Sequence, residues 1–428
     1  MIHHTLMGTL LPILGVTISV LLWSRPRLQK VTALLVAGAT VIGLATGAVN
    51  GGDPTATAMM ALIAVTAFMA FLGQQLNRQA PQSTVMVLII LGLSLSALAG
   101  SQRVGHVLLG CLMGTIALLL LLRAVRPADA LTWGAVTGLG VGIVALAASA
   151  LVSGSIAAGL QLVAYAILLP LFPLQGVFVG SLSSLPGILP AVLAVVLPCL
   201  GWHGIASLMS ELPAPLLHAV IALALVGALY EAVRASVQVN LFRMVASLTT
   251  ILFALAWWSV GVTGKATPEA SWYLSAVSLA ASGLLLAGHQ LEARYGLLDL
   301  DKLRGLARPM PRFAVVVGLV LMAAMGLPLF GVFSTFLAMM VGSPWPLPLS
   351  AVIVLLIWLM ASLLFMRLFQ RLLYGQPKPG LVYQDLSLPE LLPLILLLCL
   401  LAFGVRVPVL LLQPADQAHA TVLVEGTP

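Results

Sequence analysis

The chain has 428 residues, 61% of them hydrophobic and only 7% charged, and its mean hydropathy is +1.14. That composition excludes a water-soluble globular enzyme and a disordered chain, and it leaves a polytopic helical membrane protein. The net charge of +7 is spread over short loops rather than gathered on one face, so it does not point to nucleic acid.

A hydrocarbon core about 30 Å thick takes roughly 20 apolar residues per helix. Fourteen such segments run along the chain, near 5–23, 31–49, 57–75, 84–100, 104–122, 131–152, 155–175, 184–209, 214–233, 243–262, 270–290, 312–341, 347–374 and 389–412. The loops between them are too short for soluble domains. The first segment has no basic residues before it and a basic cluster after it, as expected of an uncleaved helix. His3 and His4 read as a polar tail rather than a metal site.

The loops then fix the orientation. Sixteen of the nineteen basic residues fall in odd-numbered loops: Arg25, Arg27, Lys30, Arg78, Arg123, Arg126, Arg234, Arg243, Arg294, Lys302, Arg304, Arg308, Arg312, Arg367, Arg371 and Lys378. Only Arg103, Lys265 and Arg406 lie on the other side. By the positive-inside rule this places both termini outside and the odd loops in the cytoplasm, so a bacterial-type inner membrane is expected. The seventh odd-side loop, read at 176–184, carries no charge.

Ionisable groups within apolar segments are costly and informative, and few occur. Glu231 and Arg234 sit three residues apart on one helix face, near the end of the ninth segment, and can pair. Arg243 opens the tenth. Two readings stay open: a residual ion relay, or an interfacial salt bridge with snorkelling arginines. His203, in CLGWHG, is the best titratable candidate inside the eighth segment. His106, His218 and His289 read as interfacial. Cys111, Cys199 and Cys399 lack metal or redox spacing and read as small buried hydrophobes. No metal, cofactor or catalytic motif is found.

Proline and glycine gather in two places, LLPLFPLQG (168–176) and GLPLFGVFS (326–334), which share the core LPLF. Interrupted helices at matching places in two halves are the mark of an internally repeated transporter fold. Pro173 and Pro328 lie within these stretches. Pro190 and Pro198 are expected to break or kink the eighth segment.

These residues carry a family resemblance. LPLFPLQG resembles LPLFPLHGWLPDAH of the antiporter-like, proton-conducting membrane subunits of respiratory complex I, most closely the NADH-quinone oxidoreductase subunit M type. PCLGWHG resembles LLKxGxYG, and YEAVRASVQVNLFRMVASLTT resembles YGALxALxQxDLKRLIAYSS. Further matches are LLDLDKLRGLARPMPRFA with TRDLxxLGGLxxxMPxxA, GLPLFGVFSTFLA with GLPxxxGFxxEFLL, and FMRLFQRLLYG with YxLRxxQRxxFG. They keep the family's order over about 160–380. The resemblance implies an all-α fold of about fourteen transmembrane helices, built as an inverted repeat of two five-helix bundles with discontinuous helices. It implies N-terminal helices over 1–83, antiporter-like halves over 84–233 and 234–380, and a C-terminal helix and tail over 381–428.

The departures bear on function. The family's glutamate in the fifth segment has no counterpart in VLLGCLMGTIALLLLL, and its lysine in the eighth falls at Cys199. The stretch DLKR keeps only Arg243, with Asn240 and Phe242 at the other charged positions. The family's His and Lys of the eleventh segment fall in YLSAVSLAASGLLLAG, and its later Glu falls near Ser334–Thr335. A water wire without titratable anchors faces a high desolvation barrier, and arginine cannot relay by deprotonation. The expected role is therefore a subunit of a complex I-like assembly, partnered by other membrane subunits and the lipid bilayer, with the classical proton path largely lost. The alternative is an active transport subunit of a cation/proton antiporter or inorganic-carbon uptake assembly. There Glu231, Arg234, Arg243, His203 and Cys199 mark the candidate path. A stand-alone carrier of a neutral solute is a third class.

Overall fold

The computed structural model describes residues 2–48, 54–76, 80–124, 130–296, 299–343, 348–377 and 382–404. Arg78, Arg126, Lys378 and Arg406 lie outside these, as do the side chains of His3 and His4 and the end of the fourteenth expected segment. Among the described residues there are sixteen α-helices and no strand. The first six are α1 (Ile2–Leu21), α2 (Pro26–Ala48), α3 (Pro54–Gly73), α4 (Ala80–Ala99), α5 (Gln102–Ala124) and α6 (Ala130–Ser149). Next come α7 (Ser155–Leu168), α8 (Gly176–Ser184), α9 (Leu189–Leu208), α10 (Ala214–Ser236), α11 (Leu241–Thr263) and α12 (Pro268–Tyr295). The last four are α13 (Pro311–Met325), α14 (Gly331–Gly342), α15 (Pro348–Leu373) and α16 (Leu388–Cys399). Ten of them are long and apolar enough to cross a membrane.

Fourteen segments become sixteen helices because the segment at 312–341 is split in two and the stretch at 176–184, outside any segment, forms a further helix. Both breaks fall on LPLF, at 169–175 between α7 and α8 and at 326–330 between α13 and α14. Proline lacks the N–H that would continue the helix, so Pro170 and Pro173 end one half-helix and Pro328 another. Gly326 adds a left-handed turn at φ +84 after α13, a conformation glycine takes without strain.

Three expectations change here. Residues 176–184, read as an uncharged loop, form α8, with Val177, Phe178, Val179 and Leu182 buried. The stretch lacks charge because it lies inside the protein. Pro190 does not break a helix: it sits in the first turn of α9, where its missing N–H has no intrahelical partner to lose. Pro198 lies within α9, which continues past it to Leu208. Finally, Cys199 is buried, but Cys111 and Cys399 are exposed. In a bilayer an apolar segment need not be buried in protein, since lipid tails accept its outer face.

The same distinction separates core helices from rim helices. The most apolar stretches of α11 and α12 are 94% and 89% buried, against 28% in α15. α12 packs on α9, α11 and α14, while α10 packs on α11 and α1 on α4. Tyr273 of α12 donates a hydrogen bond to the Leu252 carbonyl of α11 at 3.1 Å. Phe336 of α14 stacks on Trp358 of α15 at 3.8 Å. The ends of the core helices are capped locally. Asn240 accepts from the Arg243 N–H at the start of α11, Thr267 caps α12, and Gly264 and Gly296 close the two helices in left-handed turns. Ser387 and Glu390 form a capping box on α16.

Candidate functional site at the helix breaks

A broken helix in an apolar interior exposes backbone carbonyls that need donors. At the first break Trp257 of α11 donates its indole N–H to the Leu169 carbonyl at 3.2 Å, and both residues are fully buried. At the second, the Ser362 hydroxyl of α15 donates to the Met325 carbonyl at 2.8 Å. The two matching breaks are thus closed by neutral side chains of unlike type from different helices.

The first break is packed tightly. Gly201 of α9 approaches so closely that a Cβ there would lie 2.7 Å from the Leu169 backbone nitrogen. Phe172 meets the edge of the Tyr230 ring of α10 at 5.7 Å, and its Cβ packs on Gly227. What remains is a small cavity lined by Pro170, Leu171, Phe172, Gln175, Ala224, Gly227, Thr250 and Ala254. No acid, lysine, arginine or histidine lines it. Its polar groups are Thr250, which donates to the Ala246 carbonyl, and Gln175. Gln175 is 3% exposed and its Oε1 has no hydrogen-bond partner among the described residues.

Glu231 is fully buried near the end of α10, and its Oε1 accepts from Arg234 Nη1 at 3.2 Å. Its Oε2 is buried without a hydrogen bond among the described residues. Arg234 reaches the surface with 21% of its side chain exposed, so the pair joins a buried anion to a snorkelling cation. Arg243 is half-buried at the start of α11. The link between α10 and α11 is held from outside: Leu300 N–H donates to the Val239 carbonyl at 2.8 Å, and Arg371 donates to the Gln238 carbonyl at 3.2 Å. In the nearby turn, burial pushes the Asp299 carboxyl up, but the Asp301 N–H and the Lys302 ammonium, 3.2 Å away, outweigh it and hold it below its ordinary value.

The other candidates lie apart from this cluster. Cys199 is fully buried in α9 with no hydrogen-bond partner among the described residues. His203 is half-buried five residues before the C-terminus of α9, much as the eighth segment places it. His106 is half-buried and hydrogen-bonds the Tyr165 hydroxyl at 2.8 Å, while His218 is exposed near the start of α10. Thr335, near the family's glutamate position, is 3% exposed and donates to backbone of its own helix. Pro173 and Pro328 fall in the breaks.

Sequence reasoning missed the neutral donors and misplaced His289. That histidine, expected at the interface, is 2% exposed in α12. Its neighbours Gln290 and Glu292 suggested a helix end in water, yet α12 runs on to Tyr295. Trp257 and Ser362 carry no local signal, since only the folded chain brings them to the breaks.

No family model matches the chain. Two uncharacterised proteins from two strains of Mycobacterium tuberculosis are each 30% identical over 186 residues, covering 40% of this chain and 29% of each relative. The match thus spans less than a third of the length of those relatives. A chain of respiratory complex I from Thermus thermophilus superposes with a TM-score of 0.74 at 19% identity, covering 91% of this chain and 94% of that one. The fold is that of a complex I-type membrane subunit. A chain of the membrane-bound sulfane sulfur reductase, an archaeal respiratory membrane complex, superposes with a TM-score of 0.77 at 15% identity, covering 92% and 93% of the two chains. The shared architecture spans nearly the whole molecule, and the chain is a multi-pass membrane protein of this fold.

Proposed function

We propose that this chain is a non-catalytic membrane subunit of a complex I-like assembly, of the NADH-quinone oxidoreductase or energy-converting hydrogenase type. In it the antiporter-like architecture is kept and the classical proton path is largely lost. One observation carries the reading: both helix breaks are closed by the neutral donors Trp257 and Ser362, and the position of the family lysine is the buried, unpartnered Cys199. Protons cross an apolar bundle through titratable groups and water, and here the positions matching the family's lysine and later glutamate, Cys199 and Ser334–Thr335, hold no charge. The subunit's work is to hold neighbouring membrane subunits and seal the membrane arm, with exposed apolar faces such as that of α15 meeting lipid or partners. We read residues 84–233 and 234–380 as its two repeated halves. The basic loops face the cytoplasm and the termini lie outside, in a bacterial-type inner membrane.

Reconstituted alone in liposomes, the chain is expected to carry no proton or sodium flux. It should also co-purify in mild detergent with hydrogenase-like or quinone-reducing partners. Robust flux that disappears in Glu231→Gln would overturn this. It would favour the second reading, an active proton- or cation-coupled transport subunit, which the buried and half-satisfied Glu231 supports. A carbonic-anhydrase-like partner would point the same way.

A further inference from the structure

A second buried polar junction lies away from the breaks, where α2, α3, α12 and α16 meet on the side of the basic loops. Lys30 of α2 donates to the carbonyls of Leu72 and Gln74, at 3.1 and 2.7 Å, at the end of α3. That is where a helix C-terminus favours a cation. Glu390 of α16 is bound by Arg294 of α12 through both oxygens, at 2.7 and 2.6 Å, and accepts from Gln75 at 3.0 Å. Gln290 donates to the Glu390 carbonyl at 2.7 Å. These charges are held in place by named partners.

His289 sits among them with neither ring nitrogen hydrogen-bonded among the described residues, although both nitrogens are buried. The Oε1 of the adjacent Gln290 is buried and unpartnered too. A neutral imidazole has one donor and one acceptor nitrogen, and a buried polar group left unmet carries an uncompensated desolvation cost. Three unmet polar atoms on consecutive residues are the pattern that internal water satisfies, at about three hydrogen bonds per molecule. The charged groups around this end of α12 are Lys30 from α2, Glu390 from α16, Glu292 and Arg294 on α12 itself and Arg123 of α5, with Asp385 accepting from the first N–H groups of α13. Beside Gly288, α11 presents the apolar Leu241 and Phe242.

His289 also ends a polar stripe. Ser271, Ser275, Ser278, Ser282 and His289 are spaced by four, three, four and seven residues, which puts them on one face of α12. They cover about 27 Å of helix, close to the thickness of the hydrocarbon core. Ser278 is fully buried with its hydroxyl unpartnered among the described residues, and Ser282 is 2% exposed. Ser271 accepts the Trp202 indole N–H at 2.7 Å at the far end.

We propose that His289 is a hydrated proton-binding site, in which water bridges its ring and Gln290 Oε1 and a proton from the basic-loop side converts the ring reversibly to imidazolium. The site gives the chain one protonatable group at the mouth of the serine stripe, one residue beyond the stretch in which the family's His and Lys fall. Its failure would leave the proposed function standing, and the two are tested by different readouts.

The test uses the full chain in lipid bilayers. The peptide bond between His289 and Gln290 is the single His–Gln bond in the sequence. Labelling it with carbon-13 on histidine and nitrogen-15 on glutamine assigns the His289 resonances by solid-state NMR without mutation. The ring is expected to show contact with water and to change protonation state between about pH 3 and pH 7. Lys30→Met should shift the protonation of His289 to higher pH, as removal of a nearby cation does, while Lys30→Arg should leave it near the native value. A dry ring, a single protonation state throughout the range, or a midpoint indifferent to Lys30→Met would overturn the proposal.

Discussion

Replacing Cys199 by lysine introduces the charge that the family this chain resembles carries at the matching position, and it asks whether a shell for that charge exists. Cys199 is fully buried: its relative accessibility is 0%, and it has no hydrogen-bond partner among the described residues. Two costs add. The longer side chain overpacks the contact between α9 and its neighbours, by about 1–3 kcal/mol. The charge itself costs about 3 kcal/mol at the centre of a membrane helix when nothing pairs with it. Cys199→Met has nearly the volume of the lysine variant without its charge, so it isolates the first term. The difference between Cys199→Lys and Cys199→Met should therefore be about 3 kcal/mol, or roughly 150-fold in the unfolding equilibrium. Reversible denaturant unfolding in mild detergent measures both variants. If Cys199→Lys matches Cys199→Met in stability, or conducts protons in liposomes, then a polar, hydrated shell persists around this position and the argument for a lost path fails.

At the helix breaks, Trp257→Phe and Ser362→Ala each leave one buried carbonyl without its donor, and each should lower stability by about 1–2 kcal/mol in the same unfolding assay. Gly326→Ala should be more damaging, by more than about 2 kcal/mol, because φ is +84 and the new Cβ would run into the Trp358 ring; loss of folded yield on size exclusion, partly restored by Trp358→Leu, checks the cause. Arg294→Met should loosen α16 from α12 by removing the two-pronged contact to Glu390, which limited proteolysis would detect as faster cleavage near 382–388. Asp299 gives a pH dependence of known sign. Its folded-state value is lowered, so its contribution is present above the ordinary carboxylate value and is lost as pH falls through the lower folded value. The unfolding midpoint of Asp299→Asn should accordingly fall below that of the native chain near neutral pH and converge with it in acid, by a small amount because the group is partly exposed.

Composition and charge placement determine a good deal of this molecule. Fourteen apolar runs and basic residues on alternate loops specify a polytopic helical protein, because hydrocarbon tolerates only helices and closed barrels and each helix must be about as long as the bilayer is thick. The LPLF repeats mark both breaks, since proline cannot donate a helix hydrogen bond wherever it lies. Periodicity also puts Glu231 and Arg234 on one face, three residues apart. Other features were decided only when the helices packed. An uncharged stretch at 176–184 looks the same as loop or as buried half-helix, and its contacts with α6 and α11 settle which. Apolar sequence likewise does not tell protein interior from lipid-facing rim, so Cys199 and Cys111 look alike until packing buries one and exposes the other. Trp257 and Ser362 lie 88 and 37 residues from the carbonyls they satisfy. His289 looks interfacial beside Gln290 and Glu292, and it becomes a buried group only because α2, α3 and α16 close over the end of α12. Local chemistry is written in residue type and spacing, whereas desolvation depends on which distant surfaces meet, and that is a property of the fold.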